Sequence, residues 1–116
     1  MIAGSTQAAS ARLAEFVANA APPADARARA AAAVLDTIGV ALAGATEPAS
    51  RIVQKTILSD SAGPCTVFGV GAGATAEHAA LANGTAAHAL DFDDMCFVSM
   101  AHPSAPLVPA LRGCSA

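Results

Sequence analysis

Apolar residues recur at helical spacing over most of the chain. Leu13, Phe16 and Val17 follow the i, i+3, i+4 pattern of an amphipathic helix, and they predict a first helix from Thr6 to about Ala20. Two consecutive prolines then follow. Because proline lacks a backbone N–H and clashes with the preceding turn, they must separate this helix from the next one.

Two more helices are predicted before residue 61. The second runs from about Ala24 to Ala43, and Gly44 is placed to end it. The residues expected to form its apolar stripe are Val34, Leu35, Ile38 and Leu42. A third helix follows Pro48, which suits a first helical turn. The residues expected to face inward from this helix are Ile52, Val53, Thr56 and Ile57.

The stretch "SAGPCTVFGVGAGATA" has a different character, because glycine and proline punctuate it and "CTVFGV" favours a short extended segment. Gly69, Gly71 and Ala74 match the dinucleotide pattern G-x-G-x-x-A. That pattern requires an acidic residue at the end of a second parallel strand. Here a helical pattern runs into the acids instead, so the sequence favours a glycine-rich connector over a nicotinamide or flavin site.

The remainder of the chain predicts two helices. Thr75 is a candidate N-cap for the helix "AEHAALANGTAAHALD", and the short helix "SAPLVPALRG" closes the pattern. There is no internal repeat and no linker. The prediction is therefore an all-α fold with a short extended connector, formed as one domain over residues 1–116.

Composition narrows the possible partners. The sequence is 54% hydrophobic, but much of this is alanine, so we expect a thin core that packs against a second domain or subunit. The net charge is −3, and no tryptophan or tyrosine is present, which argues against nucleic-acid binding. The best membrane candidate, Ala30–Ala45, is short and contains Asp36, so we interpret it as a buried helix of a soluble protein without membrane contact.

The cysteines indicate a reducing compartment. There are three, none in a C-x-x-C pair, which argues against a disulfide framework and against a structural zinc or iron–sulfur site. The amino-terminal residues also lack the basic start and continuous apolar core of a secretion signal. We therefore predict a cytoplasmic protein.

Acidic residues and histidines concentrate between residues 88 and 104. His88, Asp91 and Asp94 are spaced i, i+3, i+6 and would share one face if the helix continued, whereas Asp93 would point elsewhere. Carboxylates this close disfavour one another's ionised forms. Because their neighbours are apolar, we expect them to need a specific partner.

His102 is the candidate partner. Pro103 biases it toward an extended backbone, and Ser104 could cap a short helix whose free N–H groups could receive an anion. This arrangement is consistent with a proton-transfer site for an organic acid. The alternative is a structural histidine with aspartates that cap helix ends.

The segments "NGTAAHALDFDD" and "AHPSAPLVPAL" resemble the signature region of the MmgE/PrpD family, and the similarity extends over nearly the whole chain. The family includes 2-methylcitrate dehydratase, cis-aconitate decarboxylase and iminodisuccinate epimerase. The resemblance implies an all-helical N-terminal domain, which an α/β domain follows in longer members, so we expect this chain to be a truncated N-terminal piece. It also implies a homodimer that uses no metal and no organic cofactor.

The resemblance further implies roles for individual residues. Asp91 and His102 match positions of the family's active site and are predicted to be catalytic, with His102 as the general acid or base and Asp91 as the group that orients it or sets its pKa. His88 and Ser104 are predicted to bind the substrate. The implied reaction is that of a lyase, specifically a 2-methylcitrate dehydratase-like hydro-lyase that acts on small di- or tricarboxylic acids.

Some features depart from the family pattern. Met95 stands where the decarboxylase often has a hydroxyl residue, and the chain contains one lysine, Lys55, and no tyrosine. The family's further active-site residues lie beyond Ala116, and "RGCSA" does not continue the expected helix. We therefore expect the chain alone to be inactive. The alternatives are a non-catalytic helical dimerisation or interaction module, or a product that does not fold durably.

Overall fold

The computed structural model describes residues 8–60 and 62–112, and within them the chain forms five helices and one β-hairpin. The mostly helical prediction is therefore confirmed. The predicted helix start at Thr6, the predicted helix end at Gly113 and Cys114 lie outside the described residues. The elements are α1 (Ala9–Asn19), α2 (Ala24–Gly44), α3 (Pro48–Asp60), β1 (Cys65–Val67), β2 (Ala72–Ala74), α4 (Ala76–His88) and α5 (Ser104–Arg112).

Helix α4 is the centre of the fold, and α2, α3, α5 and both strands contact it. Small residues make these contacts possible. A Cβ at Gly44 would clash with the backbone oxygen of Ala86, and a Cβ at Gly84 would lie 3.2 Å from the oxygen of Ala105. The core beside α4 consequently consists largely of alanine, as the composition predicted. Its buried alanines are Ala41, Ala45, Ala74, Ala79, Ala82, Ala86, Ala87 and Ala105.

The glycine-rich connector forms an antiparallel hairpin in which Val67 pairs with Ala72. Gly69 and Gly71 have φ angles of 75° and 65°, in the left-handed region that favours glycine. The two glycines of the dinucleotide-like pattern therefore serve a turn. Among the described residues the only sheet is this antiparallel pair, so the parallel strands that a dinucleotide fold needs are missing there.

A buried amide joins the hairpin to α4. Asn83 donates from Nδ2 to the oxygen of Thr66 at 2.9 Å, and its Oδ1 accepts the N–H of Phe68 at 2.8 Å. One side chain thus satisfies two backbone groups, the carbonyl of Thr66 within β1 and the N–H of Phe68 directly after it.

The joint between α2 and α3 is also made by side chains. The Ser50 hydroxyl donates to the oxygen of Gly44 at 2.7 Å, and Gln54 donates from Nε2 to the oxygen of Ala45 at 3.1 Å. These bonds occupy carbonyl groups that the last turn of a helix leaves without intrahelical partners. The prediction that α2 ends at Gly44 and that α3 begins at Pro48 is confirmed.

The predicted inward faces of the first three helices are partly wrong. Leu35 and Ile52 are 74% and 67% exposed, and none of the residues of α1 is buried. The buried positions of α2 are instead Thr37, Ala41 and Gly44. Ala41 belongs to one buried cluster with Ala86 and Ala87 of α4, and Gly44 lies against the oxygen of Ala86, so small residues at these two positions permit the close approach.

Helix α4 begins as predicted, with Thr75 at the N-cap position, although its hydroxyl caps no backbone N–H of the helix. The backbone N–H of Glu77 and then the Thr75 side chain lower the pKa of the Glu77 carboxyl. An ionised carboxylate in the first turn also interacts favourably with the helix dipole.

No single helix among the described residues is long and apolar enough to cross a membrane; only α2 and Pro48–Ser59 together, bent by 88°, meet that criterion of length and composition.

The cysteines differ from one another. Cys96 is an exposed free thiol. Cys65 is buried in β1 and disulfide-bonded, so the argument from cysteine count and spacing against disulfides, on which the reducing compartment was based, is wrong at this position.

Candidate functional site

The segment after α4 leaves the helix earlier than its sequence predicts. α4 ends at His88, and the N–H of Asp91 donates to the His88 oxygen at 3.1 Å in a turn. Asp91 has a φ of 55°, a conformation that aspartate tolerates better than most residues but that ends a right-handed helix. The predicted shared face of His88, Asp91 and Asp94 is therefore absent.

Asp93 lies between the two histidines. Its Oδ2 is 3.0 Å from Nδ1 of His88 and 3.2 Å from Nδ1 of His102, and its Oδ1 is 3.1 Å from Nδ1 of His88. The side chain of Asp93 is 0% exposed, against 53% for His88 and 25% for His102. The prediction that Asp93 points elsewhere is wrong, because the chain turns back after His88.

The two imidazole rings form one unit with this carboxyl group. Their centroids are 4.7 Å apart, and the ring planes meet at 69° in an edge-to-face arrangement. Nδ1 of His102 is buried and has no hydrogen bond of good geometry, although Oδ2 of Asp93 is within ion-pair distance. We call His88, Asp93 and His102 the imidazole–carboxyl unit.

Asp94 and Ser104 define the start of α5. Oδ1 of Asp94 accepts the backbone N–H of Ser104 at 3.0 Å, and Oδ2 accepts its hydroxyl proton at 2.7 Å. Ser104 was expected to cap this helix, but it is the first helical residue, and the cap is the carboxylate of Asp94. The hydroxyl proton of Ser104 is thus already donated, and its predicted contact with substrate stays a prediction.

A groove of about 590 Å³ runs along α4 and α5 beside the imidazole–carboxyl unit. Most of its lining is small and apolar, and its ionisable side chains are those of His88 and His102. The groove is therefore mostly apolar, with two imidazoles at its edge. Its lining residues are Ala49, Ala80, Leu81, Gly84, Thr85, His88, Ala89, His102, Ala105 and Pro106.

Four ligand-type side chains converge at the unit. One ligand atom each from His88, Asp91, Asp93 and His102 lies within 4.8 Å of the others. Imidazole and carboxylate groups are the types that zinc and similar divalent ions accept. Of the predicted site residues, the structure thus brings Asp91, His88 and His102 together and adds Asp93, which the sequence reasoning missed.

The sequence carried one signal for Asp93. It lies next to the apolar residues Leu90, Phe92 and Met95, and a carboxyl group that is buried needs a specific partner to offset the cost. The helical spacing pointed away from it only because the helix was assumed to continue to Asp91.

A loop of exposed apolar residues connects the two histidines. The N–H of Cys96 donates to the oxygen of Ala101 at 2.8 Å and closes this loop. The Ser99 hydroxyl, followed by the backbone N–H groups of Ser99 and Val98, lowers the pKa of the exposed Cys96 thiol. The large side chains exposed there are Phe92, Met95, Phe97, Val98 and Met100.

Comparison with known proteins identifies the domain type. The family model described as the MmgE/PrpD N-terminal domain matches residues 11–115. No curated protein and no solved structure matches the chain significantly. Because the family model covers nearly the whole length and includes the imidazole–carboxyl unit, the chain belongs to the MmgE/PrpD family.

Proposed function

We propose that this chain contributes half of the active site of a cofactor-independent lyase, similar to 2-methylcitrate dehydratase, that acts on small di- or tricarboxylic acids. The reaction is removal of a proton next to a carboxylate with loss or return of water. His102 acts as the general acid or base, and Asp91 is the second catalytic residue. His88 and Ser104 contact the substrate.

The observation that carries this proposal is the position of two imidazoles at the edge of one groove, held against a buried carboxyl group. General acid–base catalysis requires a titratable group within reach of the substrate, and histidine serves this role most often. The family assignment supports the same chemistry. Of the two neighbouring acids, Asp93 is the one whose oxygen lies 3.2 Å from Nδ1 of His102, so orientation of the ring falls to Asp93.

The chain alone is expected to show no turnover. A di- or tricarboxylate carries two or three negative charges, and the described residues that line the groove include no arginine or lysine. Burial of such a substrate without cationic partners would be unfavourable. Those partners would have to come from another domain or subunit, consistent with our proposal of a homodimer in the cytoplasm.

The test uses a complete family member that dehydrates 2-methylcitrate. Replacement of the residue aligned with His102 by alanine should lower kcat about 10²- to 10⁴-fold, the usual contribution of a general acid–base group. The matched control replaces the residue aligned with His78, which lies outside the groove lining. Near-normal turnover in the first variant would refute the role of His102.

A second candidate function is a non-catalytic dimerisation or interaction module. It is favoured by the apolar side chains that the fold leaves exposed on α1 and on the loop between the histidines. Turnover by the purified chain would exclude this candidate, and concentration-dependent association without turnover would favour it.

A further inference from the structure

We infer that Asp93 is a positioning residue that fixes the imidazoles of His88 and His102 with their protons on Nδ1, so that Nε2 of His102 is the basic atom offered to the groove. Its meaning for catalysis rests on the proposed function, but the placement of the protons does not. The inference concerns a residue that neither the motif spacing nor the family resemblance assigned.

The first step is the direction of the contacts. A carboxylate accepts hydrogen bonds and cannot donate them. Both oxygens of Asp93 lie within 3.1 Å of Nδ1 of His88, so this nitrogen is the donor and carries the proton in the neutral ring. The remaining nitrogen of His88, Nε2, is then without a proton.

The second step concerns His102. Its Nδ1 is buried and lies 3.2 Å from Oδ2 of Asp93, outside good hydrogen-bond geometry. Because this nitrogen is buried, an unprotonated Nδ1 would place a lone pair against a carboxylate oxygen, whereas a protonated Nδ1 is attracted to that oxygen. The proton of the neutral ring therefore belongs on Nδ1.

The third step is accessibility. Nδ1 of His102 is wholly buried, yet a quarter of the side chain is exposed, and the ring lines the groove. The accessible edge of the ring is thus the edge away from Nδ1. With its Nδ1 protonated and held by Asp93, the ring presents an unprotonated Nε2 to the groove. This nitrogen can accept a proton from the substrate, as a general base must.

The experiment is a long-range ¹H–¹⁵N correlation of the imidazoles in this chain, labelled with ¹⁵N-histidine and treated with EDTA. It is recorded at a pH at which the imidazole signals have stopped moving, so that the rings are neutral. Single glutamine variants of the three histidines assign the signals. The expected result is a protonated Nδ1 and an unprotonated Nε2 in both His88 and His102; the opposite pattern in His102 would overturn the inference.

Two variants separate positioning from mere structural support. Asp93→Asn introduces an amide N–H that must face an unprotonated nitrogen, so at least one of the two rings should lose its Nδ1–H form. Asp94→Asn is the matched control, because the carboxylate of Asp94 contacts Ser104 and neither ring. An unchanged pattern in Asp93→Asn, or an equal change in Asp94→Asn, would overturn the inference.

Two further outcomes are decisive. If Asp93→Asn does not fold, His88→Gln keeps Asp93 in place, and His102 in that variant should retain its Nδ1 proton. If the Nδ1 signals become those of metal-bound nitrogen on addition of Zn²⁺ to the wild-type chain, the four converging side chains form a metal site and the inference fails. None of these experiments measures turnover, so a failure of this inference is distinguishable from a failure of the proposed function.

Discussion

Cys96 lies within the exposed loop between the two histidines, and its thiol is predicted to be unusually reactive. The Ser99 hydroxyl is the largest cause of its lowered pKa. Because the thiolate is the nucleophile, alkylation of Cys96 should reach half its maximal rate at a lower pH than alkylation of glutathione does. Ser99→Ala should move this midpoint upward and slow the reaction near neutral pH.

The measurement is the rate of iodoacetamide modification of the peptide that contains Cys96, followed by mass spectrometry across a pH series. At high pH, where the thiol is fully ionised in both proteins, the two rates should converge. Part of the gain is offset because a less basic thiolate is also a weaker nucleophile. An identical midpoint in Ser99→Ala and wild type would show that the hydroxyl is not the cause.

The residues of the imidazole–carboxyl unit show how far spacing alone can predict a site. His102 was a candidate because Pro103 restricts its backbone and a helix follows it, and both features are local; its catalytic role was predicted from the family resemblance. Asp93 was missed because its position depends on the φ of 55° at Asp91, and no glycine or proline marks that turn. A left-handed aspartate depends on the contacts made after the turn, and two of these, Asp93 with His102 and Asp94 with Ser104, join residues 9 and 10 positions apart.

At the scale of the elements, Asn83 links α4 to the hairpin. Asn83→Ala would leave the N–H of Phe68 and the oxygen of Thr66 without their partners. A buried backbone group without a partner costs about 1–3 kcal/mol, so the free energy of unfolding should fall by roughly that amount or more. Urea denaturation followed by far-ultraviolet circular dichroism measures the change.

The matched control is Thr85→Ala in the same helix. Its hydroxyl donates to the oxygen of Leu81. That oxygen also accepts a backbone hydrogen bond within α4, so it keeps a partner when the hydroxyl is removed. The expected loss is less than about 0.5 kcal/mol, the usual range for substitutions away from buried features. Equal losses of unfolding free energy in the two variants would show that the hydrogen bonds of Asn83 do not stabilise the fold more than an ordinary helix side chain does.

Helix ends were better predicted than helix faces. Gly44 and Pro48 set the joint between α2 and α3 through backbone chemistry that belongs to the residues themselves. The face that α2 buries depends on its neighbour. Ala41 is buried in a cluster with Ala86 and Ala87 of α4, whereas the larger Leu35 on the same helix remains exposed. Hydrophobicity therefore ranked these positions in the wrong order.

Across the described part of the molecule, most of the large apolar side chains are exposed to solvent. Within the described residues, the buried apolar positions are mainly alanine, and the largest wholly buried side chains include only one branched aliphatic residue, Val67. Val98, by contrast, is 98% exposed. Burial of alanine gives little free energy per residue. The thin core predicted from composition is confirmed, and the exposed apolar surface is that expected of a domain that associates with a partner.

Helix α1 is the element whose stability depends most on such association. Leu13, Phe16 and Val17 lie on one face and are exposed, and a helix of 11 residues without buried side chains is marginal in water. We expect the purified chain to associate as its concentration rises, with burial of this face. The weight-average sedimentation coefficient should increase with concentration, and so should the helical signal in circular dichroism.

Phe16→Ser should weaken this association, because it removes the largest apolar side chain from the α1 face. The control is Ile52→Ser, which removes a comparably exposed side chain from α3 and should leave the association constant within about twofold, equivalent to less than 0.5 kcal/mol. If the wild-type chain sediments as a monomer at every concentration while α1 remains helical, the apolar face needs no second copy. The homodimer would then have no support from this domain.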